Sequence, residues 1–461
     1  MEDLVALILA AGEGKRMKSK HSKVVHKVCG KPLINWVYSA IEKAGFTETI
    51  VVVGHRADQV KECLGDKCKY VFQEKQLGTG HAVMQAREIL EDKEGLVFVL
   101  YGDTPLITSE TINEAIKVHK NSGASATVIT AVFDDPSGYG RIVKDSNGKI
   151  VKIVEHRDAS PEERNIREIN SGMYCFNIKD LLFALDELNN DNDQGEYYIT
   201  DTIEILLNKG LRVETYEVKD RREVFGINDR VQLYEVNEIM RRKILEKHMR
   251  NGVTIVNPDS VFIDEEVKIG IDTVIYPGTI IEGSSEIGED CVIGPNCRIV
   301  SSIIGNGVNI SQSTILESSI GDETSIGPFA YIRPGTQVGK KVKIGDFVEL
   351  KNSTIGDKTK IPHLTYIGDA TIGRNTNIGC GVITVNYNGK VKNRTVVGNN
   401  AFVGCNVNLI APVEVKDNSY IAAGSTITDD VPEYSLAIAR ERQVIKDNWV
   451  KKKGMERKEK D

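Results

Sequence analysis

From about residue 255 an aliphatic side chain returns every sixth residue, and this period constrains the fold more than any other feature. Ile269, Ile275, Ile281, Ile287, Ile293 and Ile299 form one such series. Ile320, Ile326, Ile332, Val338, Ile344 and Leu350 form a second, and Val397, Val403, Leu409, Val415, Ile421 and Ile427 a third. Glycine often follows the aliphatic residue, as in Ile287-Gly288 and Ile344-Gly345. An α-helix repeats near 3.6 residues and a strand near 2, so neither gives this pattern. A parallel β-helix does, with each unit making one short flat face and a turn. At about 18 residues per coil, residues 255–440 would make roughly ten coils. The step from Ile299 to Ile304 is one residue short. Gly379 to Val396 interrupts the period and carries Asn386-Tyr387-Asn388-Gly389. Such insertions map to loops, and loops often carry function.

The first 228 residues have a different grammar. Leu4 to Leu9, Thr49 to Val53 and Leu96 to Leu100 are continuous apolar runs, as strands buried on both faces require. Helical patterns alternate with them: Pro32 opens one that Gly45 stops, and Thr79 to Leu90 reads as another. The alternation predicts an open, largely parallel sheet flanked by helices, with ligands at the carboxyl ends of its strands. Residues 229–251 read as one long helix, capped by Asn228 or Asp229, ended by Gly252 and connecting two domains. The predicted organisation is 1–228, a linker helix 229–251, a β-helix over 252–440 and a basic tail over 441–461. Lys451-Lys452-Lys453 and Arg457-Lys458 in the tail are either a frayed, solvated terminus or part of an anion site.

Composition narrows the function classes. Apolar residues at 40% and charged residues at 27% fit a globular chain. The formal charge of -7 argues against bulk binding to nucleic acid or an anionic membrane. No apolar run is long enough to span a bilayer, and Leu4 to Ala11 is too short for a signal peptide. The eight cysteines form no CxxC pair. Cys63 with Cys68, or Cys291 with Cys297, could be drawn as bridges, but reduced thiols in a cytoplasmic protein are the preferred reading.

Gly12-Glu13-Gly14 follows the first strand, and Arg16 and Lys23 can add positive charge beside it. Two glycines let backbone N–H groups approach a phosphate chain. The dinucleotide fingerprint fails at Met17, and the GxxxxGK[ST] loop is absent. Alone, this loop is equally an ordinary turn. Asp103 could cap a helix, Asn228 could be a cap, Glu155 a surface carboxylate and His363 a satisfied surface residue.

Only the set points further. Gln73-x-x-Gln76-Leu77-Gly78-Thr79-Gly80 and Tyr101-Gly102-Asp103-Thr104-Pro105-Leu106 follow the loop, and the combination resembles the sugar-phosphate nucleotidyltransferases. Gly138-Tyr139-Gly140-Arg141, Val154-Glu155-His156, Ile169-Asn170-Ser171-Gly172, Gln194 to Asp201 and Gly226-Ile227-Asn228 narrow the match. Together with the hexapeptide half, which includes Pro362-His363-Leu364-Thr365-Tyr366-Ile367-Gly368-Asp369, they resemble the bacterial GlmU family. Those enzymes are bifunctional N-acetylglucosamine-1-phosphate uridyltransferases and glucosamine-1-phosphate acetyltransferases. The resemblance runs from Leu4 to about Arg440.

It implies an α/β nucleotidyltransferase (Rossmann-like) domain, a linker helix and a left-handed parallel β-helix. Gly12 and Gly14 would cradle the UTP phosphates, with Arg16 and Lys23 neutralising them; Gln73, Gly78 and Thr79 would read uracil. Asp103 and Asn228 would hold Mg²⁺, and Gly140, Glu155 and Asn170 the sugar phosphate. In the β-helix His363 would be the general base, a role suited to imidazole near neutral pH. Glu349 could orient that imidazole. Arg333, Lys351 and Lys392 would hold glucosamine 1-phosphate through its phosphate, and Tyr366, Asn377 and Asn386 through its sugar. Acetyl-CoA would lie against positions 380, 405, 423 and 440, here Cys380, Cys405, Ala423 and Arg440, with Asn386 and Tyr387 beside it. Asn386 would also help polarise the thioester. The implied assembly is a cytoplasmic homotrimer with no nucleic-acid partner and no membrane insertion, supplying peptidoglycan and lipopolysaccharide precursors.

The chain departs from the family pattern in places. Glu13 stands where the family has Lys, Lys15 where it has Thr, and Ser22 where it has Pro. Cys380 and Cys405 replace the commoner Ala and Ser, and a thiol is the poorer hydrogen-bond donor. Two rivals stay open at this point. One is a nucleotidyltransferase for another sugar with a purely structural β-helix, which the His363 cluster opposes. The other is a non-catalytic regulatory subunit, like the exchange-factor subunits of eukaryotic translation initiation, which Gly12, Gly14, Asp103 and Asn228 oppose.

Overall fold

A computed structural model describes residues 3–192 and 194–457. Met1, Glu2, Asp193 and Lys458–Asp461 lie outside the described residues, so Lys458 of the expected basic tail has no structural account. The chain forms two compact units, Met1–Lys243 and Ile244–Asp461.

The first unit is built on one mixed sheet. Its strands are β1 (Asp3–Ala10), β2 (Glu48–Val53), β3 (Lys69–Phe72), β4 (Gly95–Tyr101) and β5 (Ala126–Val132), then β6 (Gly140–Lys144), β7 (Ile150–Val154), β8 (Glu168–Asn177) and β9 (Val213–Glu217). The order across the sheet is β9-β5-β8-β4-β1-β2-β3, with β6 paired to β8 and to β7. β1 lies parallel between β2 and β4, in the middle of the sheet. Its residues Val5 to Ile8 are wholly buried because helices cover both faces, which is why the run is continuously apolar. The sheet departs from all-parallel at β8, which runs antiparallel to β4 and β5. A bulge between Asn170 and Tyr174 interrupts β8 and re-aims its side chains beside the ligand end of the sheet.

Helix α1 (Leu33–Ala44) starts after Pro32 and stops at Gly45 in the left-handed conformation. The expected helix Thr79–Leu90 is two short ones, α2 (Thr79–Met84) and α3 (Arg87–Leu90). Gln85 and Ala86 break it, although their sequence contains neither Gly nor Pro. The long helix α4 (Arg230–Arg250) begins as its sequence dictates. Asp229 Oδ1 accepts from the N–H groups of Val231 and Gln232, and Gln232 Oε1 accepts from Asn228 N–H. It is more than a connector: Val236 and Met240 pack with Met17, Leu33 and Ile227 in the first unit's core, and the division of the chain falls within the helix.

The second unit is a solenoid of three ladders with eleven, ten and nine strands. All strand pairs within these ladders are parallel, as Ile275↔Ile293, Ile281↔Ile299 and Ile287↔Ile304 illustrate. Each step of six carries the aliphatic series from one ladder to the next, so most faces of a coil contribute one inward aliphatic residue; at Ile383–Val385 the inward residue is the buried Thr384. Ile275, Ile281, Ile293 and Ile299 are all 0% exposed, which stabilises each coil by about 1.5–3 kcal/mol per side chain. Buried hydroxyls tie the coils: Thr359 Oγ1 accepts from Thr376 N–H, and Thr376 Oγ1 from Ala401 N–H. The expected interruption Gly379–Val396 is only partly a loop: Ile383–Val385 is a ladder strand paired with Tyr366 on one side and Asn408 on the other, and the excursion is residues 386–394. Ile378 still pairs in register with Val403, and Tyr387 bridges Lys392 across the excursion. After Arg440 the described chain is exposed, with one short helix at Trp449–Lys452. Among the described residues no helix is long and apolar enough to cross a membrane.

Candidate active sites

The first site sits at the carboxyl ends of β1 and β4. Gly14 adopts φ 62°, and a Cβ there would come within 2.8 Å of Lys23 Cβ, so the loop must close over Lys23. Gly12 is different. No protein atom lies within 4 Å of a Cβ placed on it, so its bare backbone faces open space. Lys23 forms an ion pair with Asp103 Oδ2, and its Nζ lies 3.3 Å from Asn228 Oδ1. Arg16 donates to the same Asn228 oxygen at 2.9 Å. A cavity of about 260 Å³ is lined by Gly12, Lys23, Gln73, Gly78, Thr79 and Asp103. An adjoining opening takes in Gly14, Arg16 and Asn228, so the expected nucleotide and metal residues meet in one place.

Each wall has a local cause. Gln73 is buried and donates to Gly78 O at 3.2 Å, within 3.0 Å of His81 Nδ1. Gly78 adopts φ 107°, and a Cβ there would stand 2.5 Å from Tyr197 O. Its glycine is therefore demanded by the backbone of 197. Thr79 Oγ1 accepts from Ile199 N–H at 3.1 Å. The Gln194–Asp201 segment is thus laced onto the Gln73–Gly80 segment.

Gly140 and Asn170 are register partners on β6 and β8. Asn170 donates to the Tyr174 hydroxyl at 2.7 Å and accepts from Gly172 N–H at 3.0 Å. Glu155 follows β7; burial, and then Asp158 and Asp201, push its carboxyl above the usual range. Asp201 is pushed up to about 6 by burial, then by Glu204 and Asp158. This corner is acidic where the Arg16 and Lys23 side is basic.

The second site follows from β-helix register. Asp346 pairs with His363 on successive coils. Lys360 pairs with Asn377 and Tyr366 with Ile383, which places Cys380 over His363. Ile378 pairs with Val403 and Val403 with Ile421, so Cys405 stands over Cys380 and Ala423 over Cys405. Arg440 closes the row by donating to Ala423 O at 2.7 Å. One column therefore runs Asp346, His363, Cys380, Cys405, Ala423, Arg440.

His363 Nδ1 contacts Asp346 Oδ1, and this holds the Asp346 carboxyl below its usual range. The expectation that Glu349 orients the imidazole is corrected here. Glu349 instead accepts from Arg333 at 2.8 Å, because it begins the strand of the neighbouring ladder. On that ladder Glu349 is the register partner of Tyr366. Lys351 Nζ lies 3.3 Å from Asp369 Oδ2, and Asn352 and Asn386 donate to the same carboxylate. Lys351 and Lys392 are in contact: the like charge of Lys351 lowers Lys392, while Asp369 favours the Lys351 ammonium. Arg333, Lys351, Tyr366, Asn386 and Lys392 thus form one cationic cluster. Asn377 is not brought into it: it lies in the other ladder, as register partner of Lys360 and Phe402. Tyr387 projects from the loop, its hydroxyl donating to Gly389 O at 2.8 Å.

The comparisons with known proteins agree with this division. The nucleotidyl transferase family matches residues 5–222, and the bacterial transferase hexapeptide family matches 266–301, 317–352 and 394–429. The chain is 65% identical over 461 residues to the bifunctional protein GlmU of Acetivibrio thermocellus, covering 100% of both chains. It is 58% identical to that of Caldanaerobacter subterraneus subsp. tengcongensis and 57% to that of Thermoanaerobacter pseudethanolicus, each over 98% of this chain and 99% of the relative.

The chain belongs to the GlmU family. It is a bifunctional enzyme with a nucleotidyl transferase half and a β-helix of transferase hexapeptide repeats. Its stacked strands are those of a left-handed β-helix.

Against the GlmU pattern, Glu13 is answered by Lys15, their side chains pairing at 2.8 Å in solvent. The pair holds Glu13 low and Lys15 high. Two residues at the first site were not singled out from sequence. Gln76 donates to Ala11 O at 3.2 Å, and Glu196 lines both openings. Both lie inside motifs that carried the resemblance, and that was the available signal. Asp346 and Asp369 were also missed. A spacing of 17 from Asp346 to His363, one coil, would have found the first.

Proposed function

We propose that the chain acetylates glucosamine 1-phosphate with acetyl-CoA at the β-helix and joins the product to UTP at the first unit. The second step releases pyrophosphate and gives UDP-N-acetylglucosamine. The acetyl-transfer reading rests above all on the His363–Asp346 pair heading a column beside the cationic cluster. With Asp346 on Nδ1, the imidazole keeps Nε2 as its free base. Nε2 takes a proton from the sugar amine as the amine attacks the thioester carbonyl. Asp346 stabilises the imidazolium that forms. Asn386 would help polarise the carbonyl, and the coenzyme thiolate leaves and is protonated. Arg333, Lys351 and Lys392 hold the sugar phosphate, and Tyr366 the sugar. Acetyl-CoA lies along Cys380, Cys405, Ala423 and Arg440, with Tyr387 at its side.

At the first site the acceptor phosphate oxygen attacks the α-phosphorus of UTP. Gly12 and Gly14 admit the triphosphate, Arg16 and Lys23 offset its charge, and Gln73, Gly78 and Thr79 face the base. Gly140, Glu155 and Asn170 position the sugar. Asp103 and Asn228 would hold Mg²⁺. Their two oxygens already bear a cation, the Lys23 ammonium, and are hard donors of the kind Mg²⁺ takes. Among the described residues no three His, Cys, Asp or Glu side chains form a metal cage, which suits an ion completed by substrate phosphates. Such an ion supplies charge neutralisation on the phosphate oxygens.

We further propose a cytoplasmic homotrimer with no nucleic-acid partner. The position of Asn377, on a different ladder from Tyr366, supports sites completed by a second chain. The two assays are thiol release from acetyl-CoA with glucosamine 1-phosphate, and pyrophosphate release from UTP with N-acetylglucosamine 1-phosphate and Mg²⁺. Both should proceed in wild type, and His363→Ala should lose only the first. Pyrophosphate release with no thiol release in any assembled form would make the β-helix a scaffold.

A further inference from the structure

Cys380 and Cys405 hold the same place on successive coils of the column. Ile378 and Val403 are register partners, and each cysteine lies two residues beyond its partner. The backbones are in close contact there. Asn406 N–H donates to Cys380 O at 2.7 Å, and a Cβ on Gly379 would stand 2.6 Å from Cys405 N. Neighbouring strands lie about 4.7–4.9 Å apart, and disulfides span Cα separations of about 4.4–6.8 Å. The two thiols are therefore within bridging reach with the coils as they stand.

Cys405 is the one exposed cysteine among the described residues, and Cys380 is half-buried. Burial pushes the thiols of Cys63, Cys175, Cys291 and Cys297 up, and that of Cys68 to about 11. Those five are poor nucleophiles at neutral pH. Neither Cys380 nor Cys405 is in a disulfide, so the bridge is an open option.

We propose that Cys380 and Cys405 form a reversible disulfide that closes the acyl-donor column and stops acetyl transfer, leaving uridylyl transfer running. The inference rests on the column being the acetyl-CoA site. The oxidant is a peroxide. The Cys405 thiolate attacks one peroxide oxygen, the O–O bond breaks, and a sulfenic acid forms as the first water leaves. The Cys380 thiolate attacks that sulfur, the S–S bond forms and the second water leaves. Two thiols lose two electrons and hydrogen peroxide becomes two waters. Two small thiols reverse the step by exchange, becoming a disulfide themselves. The bridge would lie between His363 on one coil and Ala423 on another, where the donor must pass.

The test uses the full chain, reduced, treated with hydrogen peroxide and then quenched. Peptide mass without reduction should show a Cys380–Cys405 cross-link and the loss of two thiols. Thiol release from acetyl-CoA should fall about tenfold or more, while pyrophosphate release holds. Dithiothreitol should restore the rate, and saturating acetyl-CoA should slow the loss. Cys380→Ala and Cys405→Ser should each keep their own untreated rate after peroxide. Absence of the cross-link overturns the proposal. So does a cross-link with undiminished acetyl transfer, or equal peroxide loss in both variants. If the reduced chain transfers no acetyl group at all, the column reading fails instead, and the cross-link alone then decides the bridge.

Discussion

The two sites are made in opposite ways. The first is a hole at the carboxyl ends of sheet strands, where segments following β1, β3 and β4 enclose a cavity of about 260 Å³. The half-buried Glu155 and Asp201 of the first unit have carboxyls that burial pushes up. The second is a line drawn along a solenoid. Its residues come from successive coils, and strand register aligns Asp346, His363, Cys380 and Cys405. Its perturbed groups answer to neighbouring charges: His363 lowers Asp346, and Lys351 lowers Lys392. The strand ends of a sheet build chemistry by enclosure, and a solenoid builds it by repetition.

That contrast can be broken in graded ways. The largest effect is expected at the register pair. Asp346→Asn should lower kcat for acetyl transfer about a hundredfold, with the pyrophosphate assay unchanged. Glu349→Gln should chiefly raise KM for glucosamine 1-phosphate, because Glu349 serves Arg333. Equal kcat losses would mean the imidazole is oriented by both.

Next come two glycines of one pocket. Gly78→Ala must both strain φ 107° and displace Tyr197 O, a cost of about 1–3 kcal/mol, read as a lowered Tm and weakened UTP binding. Gly12→Ala meets no protein atom, so Tm should hold while KM for UTP rises several-fold, by about 1 kcal/mol. A Tm drop in Gly12→Ala would remove the reading that its bare backbone faces ligand.

The smallest expected effect is on pH dependence. Asp201 has a folded pKa raised to about 6 from an unfolded value of 3.8. Between these values the folded state binds the extra proton, so stability is lost as pH rises through that window. Asp201→Asn should remove this slope, and its Tm should gain on wild type as pH rises from 4 to 6.5. No gain would place Asp201 in solvent.

Much of this was legible in the sequence. A six-residue period allows little but a β-helix, and the inward aliphatics from Ile275 to Ile427 follow it apart from the short step at Ile304, the inward Thr384 and the loop after Val385. Gly45, Gly252 and Asp229 set their helix ends by conformational and hydrogen-bonding rules that act locally. What escaped was long-range. The break at Gln85–Ala86 has no local breaker. Asp346 lies far from any motif and reaches His363 only because one coil there takes 17 residues. Gly78 looked like a ligand contact, yet its need for φ 107° comes from Tyr197, more than a hundred residues away. Residue types announced the chemistry, and packing between distant segments decided which carboxylate serves it.

The central claim is that one chain carries two independent sites, and a mixing experiment tests it most directly. Asp103→Ala should acetylate glucosamine 1-phosphate yet make no UDP-sugar. His363→Ala should make UDP-N-acetylglucosamine only when given N-acetylglucosamine 1-phosphate. Neither variant alone should convert glucosamine 1-phosphate, acetyl-CoA and UTP to UDP-N-acetylglucosamine, and the two mixed should. If either variant loses both partial reactions, or the folded mixture stays silent, the two sites are not independent and the account fails.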